Sequence, residues 1–262
     1  VVALPARNAD HAVIFSLSLW AVKRNLGDPM KGAWHGRIAL PFADRLSAGR
    51  LLGFRLQAKL GADTAARGLP VLILALPRGG VAVGAGVARV LTAPLDVLVT
   101  RKIGYPRRPE LGVGAIAEGG DPVYDHALLA RIGLEPADLA STAMREREEL
   151  ARRVRVYRAG RPAPDVSGRL IVLVDDGLAT GVTARAALRA VRARDAARTI
   201  LAVPVAPRAA VALMQPEADE VLVLASPAAF RSVGEWYAAF GQLSDADVLA
   251  LLAQARGPRP ST

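Results

Sequence analysis

Five short apolar runs, each set off from the next by helical or polar chain, restrict this sequence more than any other feature. Residues 71–76, 95–100, 170–174, 199–205 and 220–224 are of strand length and nearly free of polar interruption. A strand that is apolar at successive positions is covered on both faces, as in a parallel sheet, whereas a half-solvated strand alternates. Between the runs lie helical stretches. Residues 44–60 carry Leu46, Leu52, Leu56 and Leu60 after Asp44 as an N-cap and end at Gly61, and further helices are expected at 81–91, 182–194 and 207–215. This alternation predicts an α/β fold, a mostly parallel twisted sheet with helices on both faces. Gly104, Pro106, Arg107, Arg108 and Pro109 suit a mobile polar loop over 101–110, before a strand at 111–118. A charged helix is expected at 136–157, and one or two terminal helices at 233–255.

Open parallel sheets bind ligands beyond the carboxyl ends of their strands, so the loops after Leu76, Thr100 and Val174 are expected on one rim. The third of these is the most informative. Ile171, Val172, Leu173 and Val174 lead into Asp175 and Asp176, then Gly177, Leu178, Ala179, Thr180, Gly181, Val182 and Thr183. Paired carboxylates at a strand end can each accept a hydrogen bond from a vicinal diol. Residues 180–183 would offer backbone N–H groups and two hydroxyls at a helix start, where a phosphate dianion is favoured. The pattern fits a phosphorylated sugar. A plain capped turn needs neither paired carboxylates nor such a cradle, and a nucleoside-triphosphate loop needs Gly-Lys-Ser/Thr where Val182 follows Gly181. After the first strand, Pro77, Arg78, Gly79 and Gly80 combine close backbone approach with a cation. Gly84 and Gly86 do not form a dinucleotide fingerprint, because Arg89 takes the third glycine position.

The run 171–183 closely resembles the signature of the type I phosphoribosyltransferases, and the likeness extends over about 42–252. It implies that fold, with a small hood-like lobe from the flexible-loop and terminal segments. It implies transfer of ribose 5-phosphate from 5-phosphoribosyl 1-diphosphate to a nitrogenous base, with release of diphosphate. By the resemblance Asp175 and Asp176 hold the ribose, and Gly177, Ala179, Thr180, Gly181, Val182 and Thr183 line the ribose and 5′-phosphate site. Pro77, Arg78, Gly79 and Gly80 look like the diphosphate loop, with Arg101 and Lys102 as the cations facing the leaving group. Asp175, Asp176, Arg101 and Lys102 are then the catalytic candidates, and Mg²⁺ enters with the substrate, with Asp175 and Asp176 as its protein ligands. Tyr105, Arg107, Arg108 and Glu110 belong to a flexible loop that closes over the site. Ala179 departs from the pattern, since many purine-using relatives have an aspartate there that contacts the base. Residues 111–120 and 230–240 resemble a poorly characterised bacterial branch whose acceptors are often unknown. Some of its members are fused to a dienelactone-type hydrolase, and this chain has no Gly-x-Ser-x-Gly elbow. The rival is a non-catalytic regulator that senses the ribosyl diphosphate or a nucleotide and binds nucleic acid through basic helices.

Composition narrows little further. The 262 residues, 52% apolar, fit one large domain, and the absence of cysteine removes disulfides, thiolate-bound zinc and a thiol nucleophile. A formal charge of +10 favours anionic ligands, but it is carried almost wholly by arginine, as codon bias alone could produce. Arg185, Arg189 and Arg192 share a helical face, and with the arginines of 145–161 they are expected to be solvated more readily than to meet nucleic acid. His11, His35 and His126 are not at ligand spacing. The apolar run 11–22 falls short of the roughly 20 residues that span a bilayer, and its flanking Lys23 and Arg24 oppose export. Residues 1–29 are expected to be a disordered or non-native extension before a phosphoribosyltransferase domain at 30–262, in a cytoplasmic protein for which a homodimer is the candidate assembly. Trp236, Tyr237 and Phe240 are expected to pack the terminal lobe rather than stack on a base.

Overall fold

The structure, a computed structural model, describes residues 38–256, and the side chains of all of these except 62–67 and 256. The expected extension at 1–29, the run 11–22, the domain start at Met30, His11 and His35 lie outside the described residues.

Five strands form a parallel sheet in the order β2-β1-β6-β7-β8: β1 Val71–Ala75, β2 Leu95–Val97, β6 Leu170–Val174, β7 Arg198–Val205 and β8 Glu220–Ala225. The period-two geometry of a strand divides its residues between two cores. Ile73, Val172 and Ile200 face one way, against Leu52 and Leu56 of helix α1 (Arg45–Arg67), Val83 and Val87 of α2 (Gly79–Leu91) and Leu252 of α7 (Asp245–Arg256). Leu72, Ile171 and Leu201 face the other way, against Leu188 and Val191 of α5 (Val182–Arg192) and Met214 of α6 (Arg208–Met214). Both faces are covered, as the unbroken apolar runs require. Asp44 caps α1 by accepting from Ser47 N at 2.6 Å, but the helix does not end at Gly61 and continues to Arg67. The helices α1 and α2 meet backbone to backbone, since a Cβ on Gly86 would stand 2.6 Å from Leu46 O.

The expected strand at 95–100 divides. Leu95–Val97 stays in the parallel sheet, while Thr100 opens β3 (Thr100–Tyr105) of a separate antiparallel sheet with β4 (Arg108–Ala117) and β5 (Val123–Tyr124). The loop expected over 101–110 is therefore a hairpin, with Tyr105 paired to Arg108. Glycine and proline suggested a loop, but the ladder accommodates Gly104 at a register shift between Ile103 and Tyr105. Buried Ile103 and Val113 anchor the hairpin on Leu129 of α3 (His126–Ile132), on Leu139 at the end of a 3₁₀ turn (Pro136–Leu139), and on Ala143 of α4 (Ala140–Arg158). Arg158, expected to be solvated, is buried. Its guanidinium pairs with Asp96 at 2.9 Å and Glu118 at 2.9 Å and donates to Val97 O, joining α4 to both sheets.

The terminal segment is helical only in part. A 3₁₀ turn at Val233–Trp236 gives way to extended chain, and α7 begins after Ser244, which exchanges hydrogen bonds with Asp247 in a reciprocal cap. The extended part runs beside the start of the domain: Phe42 N donates to Trp236 O at 2.8 Å and Ala238 N to Phe42 O at 2.7 Å. Among the described residues no helix is long and apolar enough to cross a membrane.

Candidate functional site

Adjacent parallel strands bring their carboxyl-end turns together, and β1 and β6 are neighbours in full register from Val71↔Leu170 to Ala75↔Val174. Leu76 N continues the pairing to Val174 O at 2.9 Å, so the turn 77–80 lies against Asp175 and Asp176. The Pro77–Arg78 peptide is cis. Glycine is needed next, because a Cβ on Gly79 would stand 1.9 Å from Asp176 Oδ2 and one on Gly80 would stand 2.8 Å from Val174 O. Arg78 is half-buried and, among the described residues, its side chain makes no hydrogen bond or ion pair, which leaves its charge available to an anion.

Asp175 and Asp176 are half-buried, and each has one oxygen engaged by the protein. Asp175 Oδ1 accepts from Asp176 N at 2.8 Å, and Asp176 Oδ2 accepts from Arg45 Nε at 2.8 Å. Asp175 Oδ2 and Asp176 Oδ1 accept nothing from any other described residue. Burial, and then the neighbouring Asp176 charge, hold the Asp175 carboxyl well above the usual carboxylate range. Burial also raises Asp176, opposed by the hydrogen bond and charge of Arg45. The backbone of Asp176 is fixed from the terminal segment, where the Tyr237 hydroxyl donates to its carbonyl at 2.5 Å. Burial, with the Asp176 charge, pushes the Tyr237 phenol upward and keeps it a donor.

Beyond the aspartates, buried Gly177 packs against Val205 and Val233, and Ala179 and Thr180 are exposed. Gly181 is the N-cap of α5 with φ +75°, a left-handed value that favours glycine. No side chain caps this helix, so the first N–H groups, from Val182 and Thr183, remain unpaired within it, next to the Thr180 and Thr183 hydroxyls. The arrangement offers two acceptors for a diol and, one loop further on, a donor cradle for a dianion.

Other expected members stand apart. Arg101 donates to Glu146 of α4 at 2.7 Å, and Lys102 Nζ reaches Glu110 O at 3.0 Å, so in this state neither contacts the aspartates. Tyr105 is half-buried on the hairpin, while Arg107, Arg108 and Glu110 are exposed at its end. On α5, Arg189 pairs with Glu217 at 2.6 Å and Arg192 approaches Asp219 at 3.7 Å, so two of the three charges on that face have a carboxylate beside them, while Arg185 donates to Tyr124 O. Sequence reasoning missed Arg45, which lies 131 positions from its partner and has no local signal. Tyr237 packs as expected, and it also serves the site.

Residues 55–224 match the family described as phosphoribosyl transferase domain. Two provisionally named phosphoribosyl transferases of Mycobacterium tuberculosis are 45% identical over 214 residues, which are 82% of this chain and 47% of theirs. The chain thus spans about half the length of these curated relatives. The crystal structure of the Thermus thermophilus protein TT1426 is 42% identical, covers 80% of this chain and 97% of its own, and superposes with a TM-score of 0.64. A parallel sheet whose central strands present paired aspartates beside a glycine turn, and a match that runs through both, make this chain a member of the phosphoribosyl transferase domain family.

Proposed function

We propose that the protein transfers ribose 5-phosphate from 5-phosphoribosyl 1-diphosphate to a nitrogenous base and releases diphosphate. The observation that carries this reading is the single unengaged oxygen on each of the adjacent residues Asp175 and Asp176, at the carboxyl end of the central strand β6. Those oxygens would accept from the 2- and 3-hydroxyls of the sugar, and the start of α5 with Thr180 and Thr183 would take the 5-phosphate. Arg78, with the N–H groups of the turn 77–80, would neutralise the departing diphosphate as the anomeric bond breaks and the ring gains oxocarbenium character. Arg101 and Lys102 would join it only after leaving Glu146 and Glu110, when the hairpin closes.

The site also fits Mg²⁺. Among the described residues no group of three or more histidine or acidic side chains could hold a metal by itself, and at this site the carboxylates of Asp175 and Asp176 would be the protein's ligands. A hard cation held by one or two carboxylates and by substrate oxygens matches that donor set. When bound, it would supply charge stabilisation for the leaving diphosphate.

Diphosphate release measured across orotate, uracil, adenine, guanine, hypoxanthine and xanthine tests the reading and names the acceptor. Asp175→Asn with Asp176→Asn is expected to lower turnover by more than about 100-fold. Stability should move the other way. A carboxyl raised by burial favours folding most below the ordinary value of 3.8, and that contribution is lost as pH rises through its folded value. At neutral pH an ionised Asp175 therefore destabilises, and Asp175→Asn alone should leave the melting midpoint unchanged or higher, whereas Asp176→Asn also removes the partner of buried Arg45. Unaltered turnover would reject the assignment; salt-sensitive nucleic-acid binding without turnover of any base would favour the regulator.

A further inference from the structure

Arg45 touches more of the site than its position at the start of α1 suggests. Its Nε donates to Asp176 Oδ2 at 2.8 Å and its Nη1 donates to Gly241 O at 2.8 Å, while its Cζ lies 3.7 Å over the Phe240 ring. The side chain is only 11% exposed, and a Cβ on Gly79 would approach its Nε to 3.0 Å. One planar group thus joins the loop after β6 to the extended segment 237–241, which the aromatic contact of Tyr237 with Phe240, 5.2 Å between centroids, holds as a unit. Among the described residues this is the one cation in contact with the aspartate pair.

We propose that Arg45 is a positioning residue that couples ligand occupancy at Asp176 to the placement of the terminal segment carrying Trp236, Tyr237 and Phe240. The inference rests on the reading of Asp175 and Asp176 as the sugar site. Arg45 and Gly79 enclose Oδ2, which fixes the carboxylate with Oδ1 toward the ligand. A hydroxyl or cation arriving at Oδ1 draws on the same carboxylate charge that holds the guanidinium at Oδ2. The guanidinium cannot shift without disturbing its bond to Gly241 and its seat on Phe240. A guanidinium can hold a carboxylate, a carbonyl and an aromatic face at once because its donors are fanned in a plane; an ammonium at residue 45 could keep the charge but not all three contacts.

Trp236 reports on this segment directly. With Trp20→Phe and Trp34→Phe it becomes the sole tryptophan of the three, and acrylamide quenching reads its exposure. In ligand-free protein, Arg45→Gln and, from the other end of the bond, Asp176→Asn should raise the quenching constant roughly twofold, as expected of a segment released from its tether, with Arg45→Lys in between. Saturating 5-phosphoribosyl 1-diphosphate with Mg²⁺ should change the quenching of the otherwise wild-type protein but leave Arg45→Gln unchanged. Its dissociation constant, measured by calorimetry, should rise on the order of tenfold in Arg45→Gln. Ligand-free quenching that is the same in all variants would overturn the tether, and an undiminished ligand response in saturated Arg45→Gln would overturn the coupling. If the otherwise wild-type protein fails to bind the ribosyl diphosphate, the functional reading falls, while the ligand-free comparison still decides whether Arg45 holds the segment.

Discussion

A methyl group at residue 79 would sit 1.9 Å from Asp176 Oδ2, closer than any non-bonded carbon and oxygen can approach, so the glycine is fixed by the site and not by the turn alone. Gly79→Ala is expected to push Asp176 off Arg45 or open the turn, with a loss of about 1–3 kcal/mol in urea unfolding, as overpacking elsewhere produces. Diphosphate release should fall with it. Loss of release with unchanged stability would instead mean that the turn relaxes freely and only the ligand is excluded. Asp175, Asp176, Arg78 and Gly79 stand out in the sequence because they neighbour one another along the chain or follow a strand. Arg45, by contrast, follows a helix cap with nothing to distinguish it from Arg50 or Arg55. Only folding brings the start of α1 to the end of β6.

At the scale of elements, a few buried polar contacts decide how helices attach to the sheet. Tyr157 of α4 is fully buried, and its hydroxyl donates to Asp245 at the start of α7 at 2.6 Å. Burial, with the Asp245 hydrogen bond and charge, pushes the phenol from 10.0 up to about 12, partly offset by Arg153 and by Arg78 of the glycine turn. The folded chain therefore holds this proton more tightly than the unfolded chain, and the stability it gives is complete below pH 10 and lost as pH rises to about 12. Tyr157→Phe should cost about 1 kcal/mol at neutral pH, the usual worth of such a bond. Its urea midpoint should then fall less than that of the wild type across the alkaline window; parallel curves would show that Tyr157 does not titrate with unfolding. The hairpin of β3 and β4 was the element least legible in the sequence. Its glycines and prolines weaken strand propensity, and what holds it is packing of Ile103 and Val113 on α3 and α4, which lie beyond any local window.

For the whole molecule, every core cluster described here is built from residues after Ala39, and both faces of the parallel sheet are closed within that span. We propose that residues 30–262 fold alone. A chain begun at Met30 should melt cooperatively within about 3 °C of the full chain, a difference of less than about 1 kcal/mol at this size; failure to fold would show that residues 1–29 are integral. The charge of +10 has no single outlet, since α5 pairs Arg189 with Glu217 and Arg192 with Asp219 and α4 buries Arg158. Strand identity, sheet class and the aspartate loop could be read from the sequence because each depends on residues within a few positions of one another: apolar runs, a carboxylate pair, a glycine before a helix. The split of 95–100 between two sheets, the hairpin, the engagement of Arg101 by Glu146 and the bond from Arg45 to Asp176 were decided by tertiary structure. Each joins groups far apart in the chain, and such contacts form only when the burial of both sheet faces has brought those groups together.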